Sequence, residues 1–399
     1  MNIFKNILNG VKAELVRLSG DKKIFIVLVF APVVLILLYG FEFSPHSIVG
    51  VKTMVIDKDN SSLSRKIVDA YRTSDKFDLA YYTDDENSIN EYFCSEKADA
   101  AVIIPKNFMK DVLNKKGSQV LVVANGNNMI IGNSVLMGSL EIIQTYSVGT
   151  SMKLLGAQGI TPETAKDIAM PIEFGTRIWY NPTFNYSAYL TIGLLVLIIQ
   201  QVCMLFVANS FVINKQTIGP RLISLREAFY KIIGIVIVHF SINYINLLLG
   251  IEVLIKIFRI PFRGNLFNLM WFAAIFLLVV ISYAILLSII CRKDVEATQY
   301  SIFFAVPSFL LSGYTWPRFM MMPPIKIISN ILPVTYFAEP MRKMFLMGAD
   351  ISYFKYQVIV LSCIAIVFLP LALFLYFLKA SYFSKKFNIP FGEEKMISG

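Results

Sequence analysis

The residues that could do chemistry in this chain are few, and their spacing excludes most site types. It has two histidines, His46 and His239, far apart in sequence. Of its four cysteines, Cys203, Cys291 and Cys363 lie inside apolar runs and only Cys94 lies in a polar stretch. No CxxC or Cys/His cluster supplies the ligand set of a zinc site. Asp57-x-Asp59-x-Ser61 begins like a calcium loop but lacks the further acidic ligands and the closing glutamate. With Asp84, Asp85 and Glu86 it is read as turn and helix-cap chemistry. A GxSxG nucleophile turn is absent. Gly126-Asn127-Asn128-Met129-Ile130-Ile131-Gly132-Asn133-Ser134 looks like a phosphate-cradling GxxxxGK[ST] loop, but the spacing is one residue too long and Asn replaces Lys. The expectation is that no cofactor binds directly and that any energy source lies in another protein. Glu252 and Lys256 stand one helical turn apart; they pair as a snorkelling interfacial couple or line a pathway. Glu339 with Arg342 and Lys343 has the same two readings. His239 lies in an apolar run and is either a proton relay or, more simply, an imidazole hydrogen-bonded inside a helix bundle.

The elements that must position these residues are set by an uneven distribution of apolar side chains. One long run, 24–41, is followed by about 140 residues of soluble-looking sequence and then by five more runs: 187–213, 232–254, 266–290, 297–315 and 357–378. The apolar fraction is 56% and charged residues are only 16%, well away from a soluble domain; mean hydropathy is +0.62. Hydrocarbon offers the backbone no hydrogen-bond partner, so such runs are helices. The fold class expected is a polytopic α-helical membrane protein with six transmembrane helices and an inserted extracytoplasmic α/β domain. Pro307 weakens the fifth span. The first run lacks small residues at its end and reads as an uncleaved anchor.

Before it, Ile3, Phe4, Ile7, Leu8, Val11, Leu15 and Leu18 recur at helical spacing, with Lys5, Lys12, Glu14 and Arg17 on other faces. Residues 1–23 are thus an amphipathic helix, lying on the cytosolic membrane surface or packed as a cytosolic helix. Residues 314–356 stay apolar but are broken by Pro317, Pro323, Pro324, Pro333 and Pro340, as expected of short helices dipping into the outer leaflet. The Phe-rich runs, Phe303, Phe304 and Phe309 among them, read as packing and lipid-facing surface.

The net charge of +10 is confined to the membrane part, because residues 42–185 carry 14 Lys/Arg against 17 Asp/Glu. That placement argues against nucleic acid. Lys/Arg bias puts both termini, the 214–231 loop and the 379–399 tail in the cytosol, and the 42–185 domain outside. Within that domain, strand-like runs at 51–56, 77–82, 100–104 and 120–124 alternate with helices at 61–71, 86–95 and up to 113, before a long helix at 130–155. Such alternation predicts a small α/β sheet.

In this order the motifs resemble the membrane subunits of ABC-2 type ABC exporters, in the bacterial branch with a large external domain after the first span. The resemblance covers nearly the whole chain. It is carried by Lys12-Ala13-Glu14-Leu15 with Arg17 and Asp21-Lys22-Lys23, by Pro32 and Tyr39-Gly40, and by Asp57-Lys58-Asp59-Asn60-Ser61 with Ser64-Arg65. Further along it is carried by Ala98–Ile104 with Pro105 and Phe108, by Asn125–Asn128, by Trp179-Tyr180-Asn181-Pro182, and by Pro333-Val334-Thr335-Tyr336-Phe337 through Gly348. The resemblance implies a permease subunit in a bacterial inner membrane, working with a cytosolic ABC ATPase that binds ATP and Mg. It also implies a second permease subunit, membrane lipids as surroundings and a periplasmic adaptor as a further partner. The substrate class would be amphipathic or hydrophobic, such as a drug or lipid-like compound.

The family's acidic coupling stretch is missing at 214–230, where the chain reads Asn214-Lys215-Gln216-Thr217-Ile218-Gly219-Pro220-Arg221. Lys215, Arg221, Arg226 and Glu227 are the residues expected to contact the ATPase, while Glu252, Glu339 and Arg342 are the candidates for a pathway lining. The competing class is a non-transporting membrane protein whose external α/β domain binds a ligand or an envelope partner.

Overall fold

A computed structural model describes residues 3–43, 48–171, 177–182, 185–212 and 225–386, apart from the side chains at 3, 23, 225–228, 231 and 380–386. In chain order the helices and strands begin with α1 (Ile3–Gly20), α2 (Lys22–Glu42), β1 (Val51–Asp57), α3 (Ser62–Thr73) and β2 (Phe77–Tyr82). They continue with α4 (Ser88–Cys94), β3 (Ala100–Ile104), α5 (Phe108–Leu113), β4 (Leu121–Ala124), α6 (Met129–Gly156) and α7 (Pro162–Ala169). The rest are helices: α8 (Tyr186–Phe211), α9 (Leu225–Lys256), α10 (Leu266–Ile290), α11 (Asp294–Leu311), α12 (Pro323–Ile331), α13 (Pro333–Met347) and α14 (Lys355–Lys386). The chain forms two compact units, Pro45–Ile178 and the remainder.

The smaller unit is a four-stranded mixed sheet of order β2-β1-β3-β4, parallel except for β4. Period-two alternation divides its two inner strands between two faces. Val51, Val55, Ala100, Val102 and Ile104 pack with Ile67, Val68 and Tyr71 of α3 and Val135 of α6. Met54, Ile56, Ala101 and Ile103 pack on the other face with Tyr92 and Phe93 of α4. Both faces are covered, so β3 is buried at every position and reads as a continuous apolar run. The Asp57–Asn60 turn is closed by side-chain bonds. Asp57 Oδ1 accepts from the amides of Asp59 and Asn60, its Oδ2 accepts from Ser64 Oγ at 2.7 Å, and Asp59 Oδ2 accepts from the Met109 amide. Ser61 caps α3 by accepting from the Ser64 amide. These carboxylates are already engaged as turn and cap acceptors.

In the helical unit, α8 is the central element, touching α2, α9, α10, α11 and α13. Among the described residues five helices are long and apolar enough to cross a membrane: Ile24–Glu42, Tyr186–Phe211, Ile232–Lys256, Leu266–Ile290 and Ile351–Lys379. The sixth expected span, 297–315, is the 18-residue α11, about 27 Å long. Asp294 and Glu296 occupy its first turn and Pro307 lies inside it, so length and composition alone do not make it a span. It is tied to α8 by polar contacts instead: Gln200 Nε2 donates to Ser308 Oγ at 2.7 Å and Asn209 Nδ2 to Thr298 Oγ1.

The proline-broken stretch after α11 forms α12 and α13, each started by a proline that needs no helical partner for its nitrogen. α13 is buried along most of its length and packs on α8, α10, α11 and α14. The outward faces of α2 and α14 expose large apolar side chains, Phe30, Val34, Ile366 and Phe374 among them.

Candidate functional site

A buried polar cluster of the helical unit lies where α1 crosses α9. α1 approaches closely enough that a Cβ on Gly234 would stand 2.5 Å from the Val11 amide nitrogen. The pair Gly10 and Gly234 therefore allows backbone-to-backbone contact that no larger residue at 234 would permit. One turn beyond Gly10, Glu14 turns inward and is only 3% exposed. Its carboxylate accepts two bonds from Arg17 (2.8 and 2.6 Å) and one from Ser210 Oγ of α8 (3.2 Å), and lies 3.0 Å from His239 Nε2 of α9. Ser210 Oγ is also 2.9 Å from His239 Nε2. Burial pushes the Glu14 carboxyl up, but the bonds from Arg17 and His239 outweigh it and hold the group down from 4.5 to about 2. It is a fixed anion joining three helices.

Only half of the expected apolar pattern of α1 is used in this packing. The buried stripe is Gly10, Glu14 and Leu18, while Phe4, Leu8, Leu15 and Val16 stay exposed. Glu14, assigned from sequence to a polar face, is thus on the packing seam, and the exposed apolar set faces away.

From His239 a polar stripe continues along α9 through Asn243 and Asn246, all fully buried or nearly so. Asn243 Nδ2 donates to the His239 carbonyl at 2.8 Å. Asn246 Nδ2 donates at 2.9 Å to the carbonyl of Leu28 in α2. That carbonyl is the one whose helical donor would be residue 32, and residue 32 is proline. Asn246 therefore supplies from α9 the donor that Pro32 cannot. In an apolar interior an unmet carbonyl costs about 1–3 kcal/mol.

Of the residues assigned to coupling from sequence, Lys215 and Arg221 lie outside the described residues. Arg226 and Glu227 sit in the first turn of α9, so the expected 214–231 loop gives way to helix at 225. They therefore begin the same unbroken helix that carries Gly234, His239 and Asn246. Glu252 and Lys256 form the expected ion pair at 2.5 Å, exposed, beside a cleft of about 250 Å³ shared with Val33, Leu249, Val253 and Ile257. Glu339 pairs with Lys343 at 2.7 Å. Arg342 leaves that group and lies over the rings of Tyr189 and Tyr314.

His239 is hydrogen-bonded through Nε2, while its buried Nδ1 has no partner among the described residues. Its bond to Glu14 was not legible in sequence, where 225 positions separate the two. The available signal was the recurrence of His239, Asn243 and Asn246 on one face of an otherwise apolar span, which requires polar partners.

The architecture defines a multi-pass helical membrane protein with one inserted α/β unit. A family model described as "ABC-2 family transporter protein" matches residues 22–374, and the chain belongs to that family, whose members are transport membrane subunits working with an ABC ATPase. It is 23% identical over 373 residues to "Probable multidrug ABC transporter permease YbhS" of Escherichia coli (strain K12), covering 89% of this chain and 92% of that protein. It is 19% identical over 352 residues to "Probable multidrug ABC transporter permease YbhR" of the same strain, covering 88% and 92%. "Inner membrane transport permease YhhJ" is 23% identical over 387 residues, 94% of this chain and 97% of that protein.

Proposed function

We propose that this chain is the permease subunit of an ATP-driven exporter that moves amphipathic or hydrophobic compounds out of a bacterial cytoplasm. In this reading both termini are cytosolic, the 42–185 domain is extracytoplasmic, and α11 is a sixth, short crossing. Two permease subunits form the pathway, and each docks an ATPase at residues 214–231, with ATP and Mg bound by that partner. A periplasmic adaptor receives what leaves the domain outside. The names of two relatives, which say multidrug, support the substrate class.

One observation carries the mechanism: α9 runs without a break from Arg226 and Glu227 to Lys256 and is clamped to α1 and α8 through Gly234, His239 and Ser210. A push on the first turn of such a helix is delivered to α1, α2 and α8 together, because packed interfaces switch between discrete arrangements rather than deform continuously. ATP binding in the partner then biases the spans between closed and outward-open states.

The test is co-purification of the full chain with each ABC ATPase encoded beside it. A stable complex whose ATP hydrolysis exceeds that of the ATPase alone, and which weakens on Arg226→Glu, is the expected result. A chain that stays apart from every such ATPase overturns the reading. Orientation is tested at Cys94, exposed in α4. In a Cys363→Ser background an impermeant maleimide labels Cys94 in intact spheroplasts; labelling only after lysis reverses the topology.

A further inference from the structure

Arg342 of α13 is a cation with no carboxylate partner among the described residues. Its guanidinium carbon lies 4.5 Å from the ring centroid of Tyr189 and 4.4 Å from that of Tyr314, distances at which both ring faces attract it. The box is built, not incidental. Tyr189 Oη donates to the Tyr314 carbonyl at 2.5 Å, and the Tyr314 hydroxyl donates to the carbonyl of Tyr189. Gly193 leaves room for the Tyr314 ring against α8, since a Cβ there would stand 2.3 Å from a carbon of that ring. Glu339, the nearest acid along α13, is taken by Lys343. Arg342 Nη1 is buried and has no hydrogen-bond partner among the described residues.

The two rings stand 5.6 Å apart, too close to sandwich a guanidinium, so both lie to one side of it; the paired N–H groups of a guanidinium match the two oxygens of a phosphate or carboxylate. Arg342 and Tyr189 are only partly buried, whereas Tyr314 is buried. Ring contacts continue away from the box, from Tyr189 to Tyr186 (6.2 Å) and on to Phe43 (5.8 Å). A cation at the end of an aromatic track fits an anionic head on an apolar tail.

We propose that the Tyr189–Arg342–Tyr314 box binds the oxyanion head, phosphate or carboxylate, of an amphipathic compound whose tail lies along the Tyr186–Phe43 rings. That this compound is carried, rather than merely held, rests on the export reading above. The site itself does not.

The test is native mass spectrometry of the full chain in a maltoside detergent, titrated with dodecyl phosphate and, separately, with uncharged 1-dodecylglycerol. The wild-type chain should prefer dodecyl phosphate by about tenfold or more, the scale of one charge-assisted hydrogen bond. Arg342→Gln should abolish that preference and Arg342→Lys should keep part of it. Displacement by phosphatidylglycerol assigns the head to a bilayer lipid, and indifference to phosphatidylglycerol assigns it to another amphiphile; either supports an oxyanion site. Equal binding of the two probes by the wild-type chain, a measurement that needs no variant to fold, overturns it, as does an undiminished preference in Arg342→Gln. Because no ATPase is present, this result and the complex-formation test fail independently.

Discussion

Glu14 and His239 should be energetically coupled, and the size of that coupling follows from their burial. Both are essentially inaccessible, at 3% and 0% exposure, and 3.0 Å apart. A hydrogen bond to a charged group in such surroundings contributes about 1.5–3 kcal/mol. Arg17 is about half exposed, so its bond to the same carboxylate contributes roughly 0.2–1 kcal/mol. In a double-mutant cycle with Glu14→Gln and His239→Gln, the double variant should be more stable than the summed single effects by about 2 kcal/mol. Reversible unfolding in mixed micelles by dodecyl sulfate titration is a suitable assay. The same carboxylate sets a pH dependence. Its folded pKa is depressed from 4.5 to about 2, so its stabilisation is complete above pH 4.5 and is lost as pH falls from there towards 2. The full effect is about 3 kcal/mol. Glu14→Gln should flatten the stability profile in that window. A coupling below about 0.5 kcal/mol, the limit of additivity for independent sites, or parallel acid profiles in the two proteins, would refute the buried-anion account.

The Gly10–Gly234 crossing predicts that Gly234→Leu displaces α1 from α9, because the added carbons meet backbone rather than a movable side chain; a loss of about 2 kcal/mol or more should appear in the same unfolding assay, with faster proteolysis of residues 3–20. Asn246→Leu should cost about 1–3 kcal/mol by stranding the Leu28 carbonyl. In a Pro32→Ala background, where residue 32 can donate to that carbonyl, the penalty should fall by at least half; an undiminished cost there would show that Asn246 acts by packing alone. Lys379 Nζ donates to the carbonyls of Ile289 and Cys291 at 2.6 and 2.9 Å, closing the C-terminus of α10. Lys379→Met should therefore loosen that end by about 1–2 kcal/mol, read as increased amide exchange at 289–293.

Apolar run length and strand alternation are local signals, so the long apolar helices and the sheet could be placed before any neighbour was known. Five apolar runs became helices long enough to cross, and the strand runs at 51–56, 77–82 and 100–104 became β1, β2 and β3 within a residue. Locality also explains the weak point. α11 has an apolar second half but a charged first turn, so run length alone does not decide whether it crosses. The alternating pattern of α1 announced a helix but not its packing face, since glycine and glutamate at a seam look like solvent-facing residues until the neighbour is known. Tertiary structure alone decided the partners. A polar group in an apolar bundle must be satisfied, yet nothing local says that Glu14 meets His239, that Asn246 answers Pro32, or that Arg342 leaves Glu339 for two tyrosines. Those pairings arise only when helices distant in sequence are brought within hydrogen-bonding range, and they are where the candidate site lies.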